Sequence, residues 1–204
     1  MLGIDRVQLY LDFERILTKT EIDHYRQLIK RRCNYEPLQY ITGETEFMSL
    51  PFKISPDVFI PRPETEILVE RVLELKKQFV ANETTIWDIG TGSGCIAISI
   101  AKNWSGSKVI ASDVSSPALE CAKNNSHLNQ ISEQMVFIQH DILNTKTPMN
   151  KCDIIVSNPP YIRKDEFETL DKEIRNYEPD IALSDFGDGT LFYQKILSLI
   201  EKGF

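Results

Sequence analysis

The sequence lacks the features by which membrane proteins, metal proteins and disulfide-rich proteins are recognised. No stretch approaches the roughly 20 consecutive apolar residues that span a bilayer, and charged residues interrupt the N-terminal region, so no signal peptide is predicted. The 4 cysteines and 3 histidines are scattered, without a CxxC pair or metal-ligand spacing. We therefore expect a cytoplasmic chain with reduced thiols, no bound metal and no disulfide framework.

Basic residues are also in the minority, with 23 lysines and arginines against 30 aspartates and glutamates and a net charge of −7. This balance argues against broad, phosphate-driven binding of nucleic acid. The local run Lys30-Arg31-Arg32 is interpreted as the solvated face of a helix. Apolar residues make up 42% and charged residues 26% of the chain, which is typical of a globular protein.

Residues 1–35 are predicted to form a small N-terminal helical module, and residues 36–63 a β-hairpin linker. In the first range two amphipathic helices are expected, the second started by a capping box of Thr20 and Asp23. In the second range Gly43 and several prolines separate short extended runs. The apolar positions of the two helices are Leu9, Phe13, Ile16 and Leu17, then Ile22, Tyr25, Leu28, Ile29 and Cys33.

Residues 64–204 are predicted to form one α/β domain. After a helix from about 64 to 79, strands and helices alternate, which indicates a parallel sheet with helices on both faces. Ser116 is the expected N-cap of one helix, with Pro117 at its first position. Strands are predicted at 85–89, 108–112, 135–139 and 152–157, and helices at 95–103, 117–128, 165–176 and 190–202.

A glycine-rich turn joins the first of these strands to its helix. It reads Asp88-Ile89 and then Gly90-Thr91-Gly92-Ser93-Gly94. Its GxGxG spacing is neither the GxGxxG that seats a pyrophosphate nor a phosphate-binding loop with lysine. Such a turn, with a carboxylate below it, suits a cofactor that has an amino-acid tail and no phosphates. S-Adenosylmethionine is a cofactor of this kind.

Acidic residues follow the next two strands. Asp113 can accept both ribose hydroxyls of a nucleoside. Asp141, or the backbone amide after it, could bind the exocyclic amine of adenine, and Ile142 could pack on the ring. An ordinary loop role for Asp141 remains an equally good interpretation.

Asn158-Pro159-Pro160-Tyr161 ends the fourth strand, where open α/β sheets bind ligands. The Asn158 oxygen and the Pro159 carbonyl could accept the two hydrogens of a planar nitrogen, and Tyr161 could stack on its plane. Pro160 would help to fix the acceptor geometry. Alone, the stretch reads equally well as a Pro-Pro turn; the cofactor motifs before it favour an acceptor site.

In this order the motifs resemble class I S-adenosylmethionine-dependent methyltransferases, and the tetrapeptide resembles those that methylate exocyclic or amide nitrogens. Residues 37–43, 60–66 and 177–179 resemble the PrmC/HemK family. The resemblance implies methylation of the glutamine amide nitrogen in the Gly-Gly-Gln motif of peptide chain release factors. It implies a catalytic role for residues 158–161, with Asn158 also beside the cofactor. Phe59 and Arg62 are candidate walls of the pocket.

The resemblance also implies segments that the chain does not contain. Family members carry about one more helical pair before this N-terminus and continue past residue 204 through further strands. The expected fold is therefore a Rossmann-like class I methyltransferase sheet with its C-terminal strands missing, in a chain truncated at both ends. Two alternatives stay open: a methyltransferase acting on an exocyclic amine of a nucleic-acid base, and an inactive truncated chain that binds the cofactor.

Overall fold

The computed structural model describes residues 2–4, 6–79, 84–144, 146–148 and 151–201. In these ranges the chain forms a two-stranded antiparallel hairpin and a four-stranded parallel sheet. The strands are β1 (Glu44–Phe47), β2 (Leu50–Lys53), β3 (Thr84–Ile89), β4 (Ser107–Asp113), β5 (Met135–Gln139) and β6 (Ile154–Ser157). The helices are α1 (Arg6–Leu11), α2 (Lys19–Cys33), α3 (Leu38–Thr42), α4 (Glu64–Leu75), α5 (Cys95–Asn103), α6 (Ser116–Leu128), α7 (Lys164–Phe167), α8 (Lys172–Arg175), α9 (Asp180–Leu183) and α10 (Leu191–Glu201).

The parallel sheet has the strand order β5-β4-β3-β6, and the predicted α/β class is confirmed. Parallel strands end at the same edge of a sheet, so the segments that follow β3, β4, β5 and β6 lie side by side. The registers Ile89 to Ser112 and Ile89 to Ser157 align these ends. The sheet therefore brings the glycine turn, Asp113, Asp141 and Asn158 to one edge.

Side chains alternate between two apolar layers, as the period of a strand requires. On one face Ile86, Val109 and Val156 belong to a cluster with α4 and α5. On the other, Trp87 and Ile110 pack with Leu199 of α10. Helices therefore cover both faces of the sheet, and the carboxyl edge of its strands stays accessible between these layers.

Two predicted helix caps are wrong. The capping box of α2 is formed by Thr18 and Glu21, because the longer glutamate reaches back to the Thr18 backbone N–H at 2.8 Å. The N-cap of α6 is Ser115, whose hydroxyl accepts from the backbone N–H of Ala118. Asp113 draws in the Ser115 N–H and starts the helix one residue earlier than predicted.

Several predicted boundaries also differ from the structure. The linker holds the expected hairpin, but α3 precedes it and ends at Gly43, whose φ of 74° suits glycine. The helix from 64 ends at Leu75 and continues only as a 3₁₀ turn. The helix predicted at 165–176 is two short helices, because Asp171 between them has a non-helical backbone with a ψ of 142°. The helix predicted at 190–202 is α10, and residue 202 lies outside the described ranges.

The N-terminal helices meet the rest of the chain through polar contacts. Arg32 pairs with Glu173 at 2.7 Å, and the Tyr177 hydroxyl donates to the Asn34 carbonyl at 2.8 Å. In the described part of α2 no residue is buried. The division into a module at 1–35, a linker at 36–63 and a domain from 64 stays a prediction.

Candidate active site

A cavity of about 440 Å³ opens at the carboxyl edge of the parallel sheet. Its size lies within the range of small-molecule sites. Of the residues predicted from the sequence, it is lined by Gly90, Thr91, Gly92, Ser93, Asp113, Asp141, Ile142, Asn158, Pro159, Pro160, Tyr161 and Phe59. The predicted residues Gly94 and Arg62 are not among those that line it.

The glycine turn presents bare backbone to the cavity. Gly90 and Gly92 have φ angles of 73° and 55°, and a Cβ added at either would meet no heavy atom within 4 Å. At these two positions the turn thus leaves backbone open to the cavity, without a Cβ in the way. Gly94 differs, because a Cβ there would come within 2.9 Å of Ile98 and 3.0 Å of Ala122. The absence of a side chain at Gly94 allows α5 and α6 to pack closely.

Asp88 lies under this turn and is fully buried. Its Oδ2 accepts a hydrogen bond from the Thr91 hydroxyl at 2.6 Å, and among the described residues its Oδ1 has no hydrogen-bond partner. Burial, chiefly, raises the pKa of Asp88 to about 7. A carboxylate with an unused oxygen beneath an open backbone cradle suits a ligand that carries a positive charge.

Asp113 is held by the backbone at both oxygens. The Gly92 N–H donates to Oδ2 and the Ser115 N–H to Oδ1, each at 2.9 Å. Burial raises the pKa of Asp113, and these two hydrogen bonds partly offset the rise. Each carboxylate oxygen can accept a second hydrogen, so the side chain is oriented and still able to bind ligand hydroxyls.

Asp141 closes a turn at the end of β5. Its Oδ1 accepts from the Leu143 N–H at 2.9 Å and its Oδ2 from the Asn144 side chain at 2.8 Å. The pKa of Asp141 is lowered, and the hydrogen bond from the Asn144 side chain is the main cause. The turn places the buried Ile142 on the cavity wall beside Asp141, which lines the same cavity.

His140 is a cavity residue that the sequence analysis missed. Its Nε2 lies 3.0 Å from the Lys146 carbonyl, which can only accept, so Nε2 carries the hydrogen. Nδ1 is then an acceptor, and it has no hydrogen-bond partner in the part of the chain that the structure describes. Burial lowers the pKa of His140, which keeps the ring neutral. Because this histidine stands alone in the sequence, no local pattern marked its position.

The tetrapeptide at residues 158–161 follows β6 directly and lines the cavity. Asn158 donates from Nδ2 to the Thr65 hydroxyl at 3.2 Å, and Pro159 is buried beside it. Tyr161 is 55% exposed at the mouth. Asn158, Pro159 and Tyr161 therefore border the same space, and an amide, a backbone carbonyl and an aromatic ring are groups that suit a planar NH₂ group.

A second segment, residues 183–189, runs along the tetrapeptide and was not predicted as part of the site. The Ile162 N–H donates to the Leu183 carbonyl at 3.0 Å, and the Ser184 hydroxyl donates to the Ile162 carbonyl at 2.6 Å. Further on, a Cβ at Gly189 would lie 2.3 Å from the Tyr161 carbonyl oxygen. This close approach of the two backbone segments requires glycine at position 189.

Phe59 and Arg62 have different positions at the wall. Phe59 lines the cavity, and the Arg62 guanidinium lies over its ring, 4.6 Å from the centroid. Arg62 also pairs with Glu178, a side chain only 1% exposed. The pair joins the linker to the segment after the tetrapeptide.

The described residues contain neither a candidate metal centre nor a candidate membrane span. Among the described residues, no group of three His, Cys, Asp or Glu side chains could hold a metal ion. In the same residues no helix has both the length and the apolar character needed to cross a bilayer.

Two protein families match the chain. The family described as Methyltransferase small domain matches residues 63–175, and the PrmC N-terminal domain matches residues 1–43. The first match covers the glycine turn, Asp113 and the tetrapeptide. The second covers α1, α2 and α3.

Curated relatives match almost the whole chain. The release factor glutamine methyltransferases of Chlorobaculum tepidum and Thermodesulfovibrio yellowstonii are 41% and 43% identical to it, over 100% and 99% of this chain and 72% and 71% of theirs. That of Fusobacterium nucleatum is 42% identical over 98% of this chain. The chain spans 56% of that relative's length.

Among solved structures, the hMettl16 catalytic domain, crystallised in complex with a 3′UTR hairpin, has a TM-score of 0.58. The match covers 85% of this chain and 72% of that one at 16% identity. At this identity the likeness concerns the fold alone. It agrees with the Rossmann-like parallel sheet described above.

Proposed function

The chain belongs to the release factor glutamine methyltransferase family, and we propose that it transfers a methyl group from S-adenosylmethionine to a glutamine side-chain nitrogen. The acceptor is the glutamine of the Gly-Gly-Gln loop of a peptide chain release factor. The observation that carries the proposal is the shared cavity: the glycine turn and Asp113 line the same cavity as Asn158 and Tyr161.

The cofactor half of the cavity fits S-adenosylmethionine. The bare turn at Gly90–Gly92 would hold the amino-acid tail, with the Asp88 carboxylate beneath it. Asp113, fixed by two backbone N–H groups, would bind the ribose hydroxyls. Ile142 would pack on the adenine ring. The cofactor supplies a methyl group on a positively charged sulfur.

The acceptor half of the cavity would bind the glutamine amide nitrogen, which is a poor nucleophile. An amide NH₂ has its lone pair delocalised into the carbonyl, so the chain has to orient it. The Asn158 oxygen and the Pro159 carbonyl would each accept one of its hydrogens, and Tyr161 and Phe59 would flank its plane. Orientation of reactants can lower a barrier by roughly 7–11 kcal/mol at best. No basic side chain is needed before attack, because the proton leaves after the nitrogen is alkylated.

The acceptor assignment is tested by Asn158→Ala. We expect methyl transfer to a release factor to be lost, while cofactor affinity, measured by calorimetry, stays nearly unchanged. The cofactor assignment is tested by Asp113→Ala. It should weaken cofactor binding by about 1–3 kcal/mol, the value of lost charged hydrogen bonds. Undiminished turnover of the first variant, or unchanged affinity of the second, would refute the respective role.

A nucleic-acid base would present a similar planar amine to the same residues. Labelled cofactor offered with release factor, RNA or DNA separates these acceptors, and we expect label in the protein alone. The net charge of −7 also argues against a broad nucleic-acid surface. We place the protein in the cytoplasm, where unpaired cysteines such as the exposed Cys33 stay reduced.

A further inference from the structure

Thr65 touches the acceptor tetrapeptide from another part of the chain. Its hydroxyl oxygen lies 3.2 Å from Nδ2 of Asn158, although 93 positions separate the two residues. Both line the cavity. We infer that Thr65 is a positioning residue: it takes a hydrogen of the Asn158 amide and so turns the amide oxygen toward the substrate nitrogen. This inference rests on the proposed function.

The Asn158 amide needs such a partner because its two ends have nearly the same shape and opposite chemistry. The oxygen accepts hydrogens, and the NH₂ group donates them. The terminal torsion of asparagine has a broad, roughly two-fold preference, so the side chain does not select one orientation by itself. A substrate NH₂ offers hydrogens, so the productive orientation presents the oxygen. With the NH₂ group turned to the substrate, two donors would face each other.

Thr65 is well placed to fix this orientation. It lies in the first turn of α4, where its backbone N–H donates to the Arg62 carbonyl at 3.0 Å. The same helix is anchored in the core by the buried Val69 and Val72. A β-branched side chain on a helix has few rotamers, two in the case of threonine, so the hydroxyl has few available positions. The fold therefore supplies a hydroxyl acceptor for the Asn158 Nδ2 group from a helix that is anchored in the core.

The expected effect is on turnover rather than on cofactor binding. Asn158 contacts the reacting nitrogen, whereas Asp113 and the glycine turn hold the cofactor. Loss of the Thr65 acceptor should lower the fraction of enzyme with a correctly turned amide, and it should weaken the interaction most needed as the new bond forms. A change confined to kcat is what a positioning role predicts.

The experiment compares Thr65→Val, which keeps the shape and removes the hydroxyl, with Thr65→Ser, which keeps the hydroxyl. The control is Thr42→Val, since the Thr42 hydroxyl bonds only nearby backbone carbonyls, among them that of Leu38 at 3.1 Å. Methyl transfer to a release factor, cofactor affinity and thermal melting are measured for each. Thr65→Val should lower kcat about 3- to 10-fold, the value of one hydrogen bond, with cofactor affinity and melting unchanged. Thr65→Ser and Thr42→Val should match the wild type.

Two results would overturn the inference: an unchanged kcat in Thr65→Val, or a loss in Thr65→Ser as large as that in Thr65→Val. If Thr65→Val melts at a lower temperature, Thr65→Ala is assayed as a second variant without the hydroxyl, and its kcat must fall with melting retained. Failure of the proposed function looks different, because then the wild type transfers no methyl group or Asn158→Ala keeps full turnover.

Discussion

The buried carboxylate under the glycine turn makes the stability of the ligand-free protein depend on pH. Asp88 is fully buried, and its pKa is about 7 in the folded chain against 3.8 for an ordinary aspartate. A folded-state pKa above the unfolded one means that the native state holds the proton more tightly. Protonation of Asp88 therefore stabilises the folded state. This contribution to the free energy of unfolding is complete below the unfolded pKa and is lost as the pH rises through about 7.

Asp88→Asn removes this titration and keeps an acceptor for the Thr91 hydroxyl. Between about pH 5.5 and the folded pKa lie roughly one and a half pH units, each worth about 1.36 kcal/mol, so the wild type should lose about 2 kcal/mol by pH 8 through Asp88. The Asp88→Asn variant should not lose this amount. The difference between the two pH profiles isolates the group, because other titrating residues contribute to both.

Urea unfolding of the cofactor-free wild type and Asp88→Asn variant, at about pH 5.5 and about pH 8, measures their free energies of unfolding. Asp165→Asn is the control, since Asp165 is exposed and Arg163 lowers its pKa, so it is ionised throughout this range. Its profile should run parallel to that of the wild type. A parallel profile for Asp88→Asn as well would refute the account of Asp88.

Three further substitutions test contacts around the site. Gly189→Ala should lower the free energy of unfolding by about 1–3 kcal/mol and lower turnover, because the added Cβ meets the Tyr161 carbonyl. The control is Gly43→Ala, which has a similar φ but open space around the Cβ; it should cost only about 1 kcal/mol and leave turnover intact. Arg62→Met should cost up to about 3 kcal/mol by leaving Glu178 buried without its partner. Arg71→Met, which breaks an exposed pair with Glu74, should leave the free energy of unfolding nearly unchanged in the same assay. Ser115→Ala should cost about 1 kcal/mol as loss of an N-cap and Ser116→Ala much less; equal costs in denaturant unfolding would contradict the cap assignment.

The sequence predicted the parallel sheet and the residues at its carboxyl edge well. Strand periodicity placed β3, β4 and β5 to within a residue or two, and the order of motifs along alternating strands and helices implied a common edge. The structure brings Asp113, Asp141 and Asn158 to that edge in one cavity. Local patterns sufficed here because parallel strands align their ends without information on side-chain contacts.

What the sequence did not reveal depends on contacts between distant segments. Thr65 reaches Asn158 across 93 positions and Glu178 reaches Arg62 across 116, so no local pattern marks either pair. His140 is a cavity residue because β5 ends beside β4, where its N–H donates to the Asp113 carbonyl at 2.9 Å. The cap of α6 was misplaced for a local reason: two serines precede Pro117, and the Asp113 carboxylate accepts a hydrogen bond from the N–H of the first, Ser115.

The most direct test of the central claim is mass spectrometry of the Gly-Gly-Gln peptide of a release factor after incubation with the protein and S-adenosylmethionine. We expect a mass increase of one methyl substitution, located on the glutamine side chain, with wild-type protein and none with Asn158→Ala. Cofactor binding by both proteins, checked by a rise in melting temperature, ensures that the variant is folded. An unmodified glutamine with wild-type protein that binds the cofactor would contradict the proposed activity.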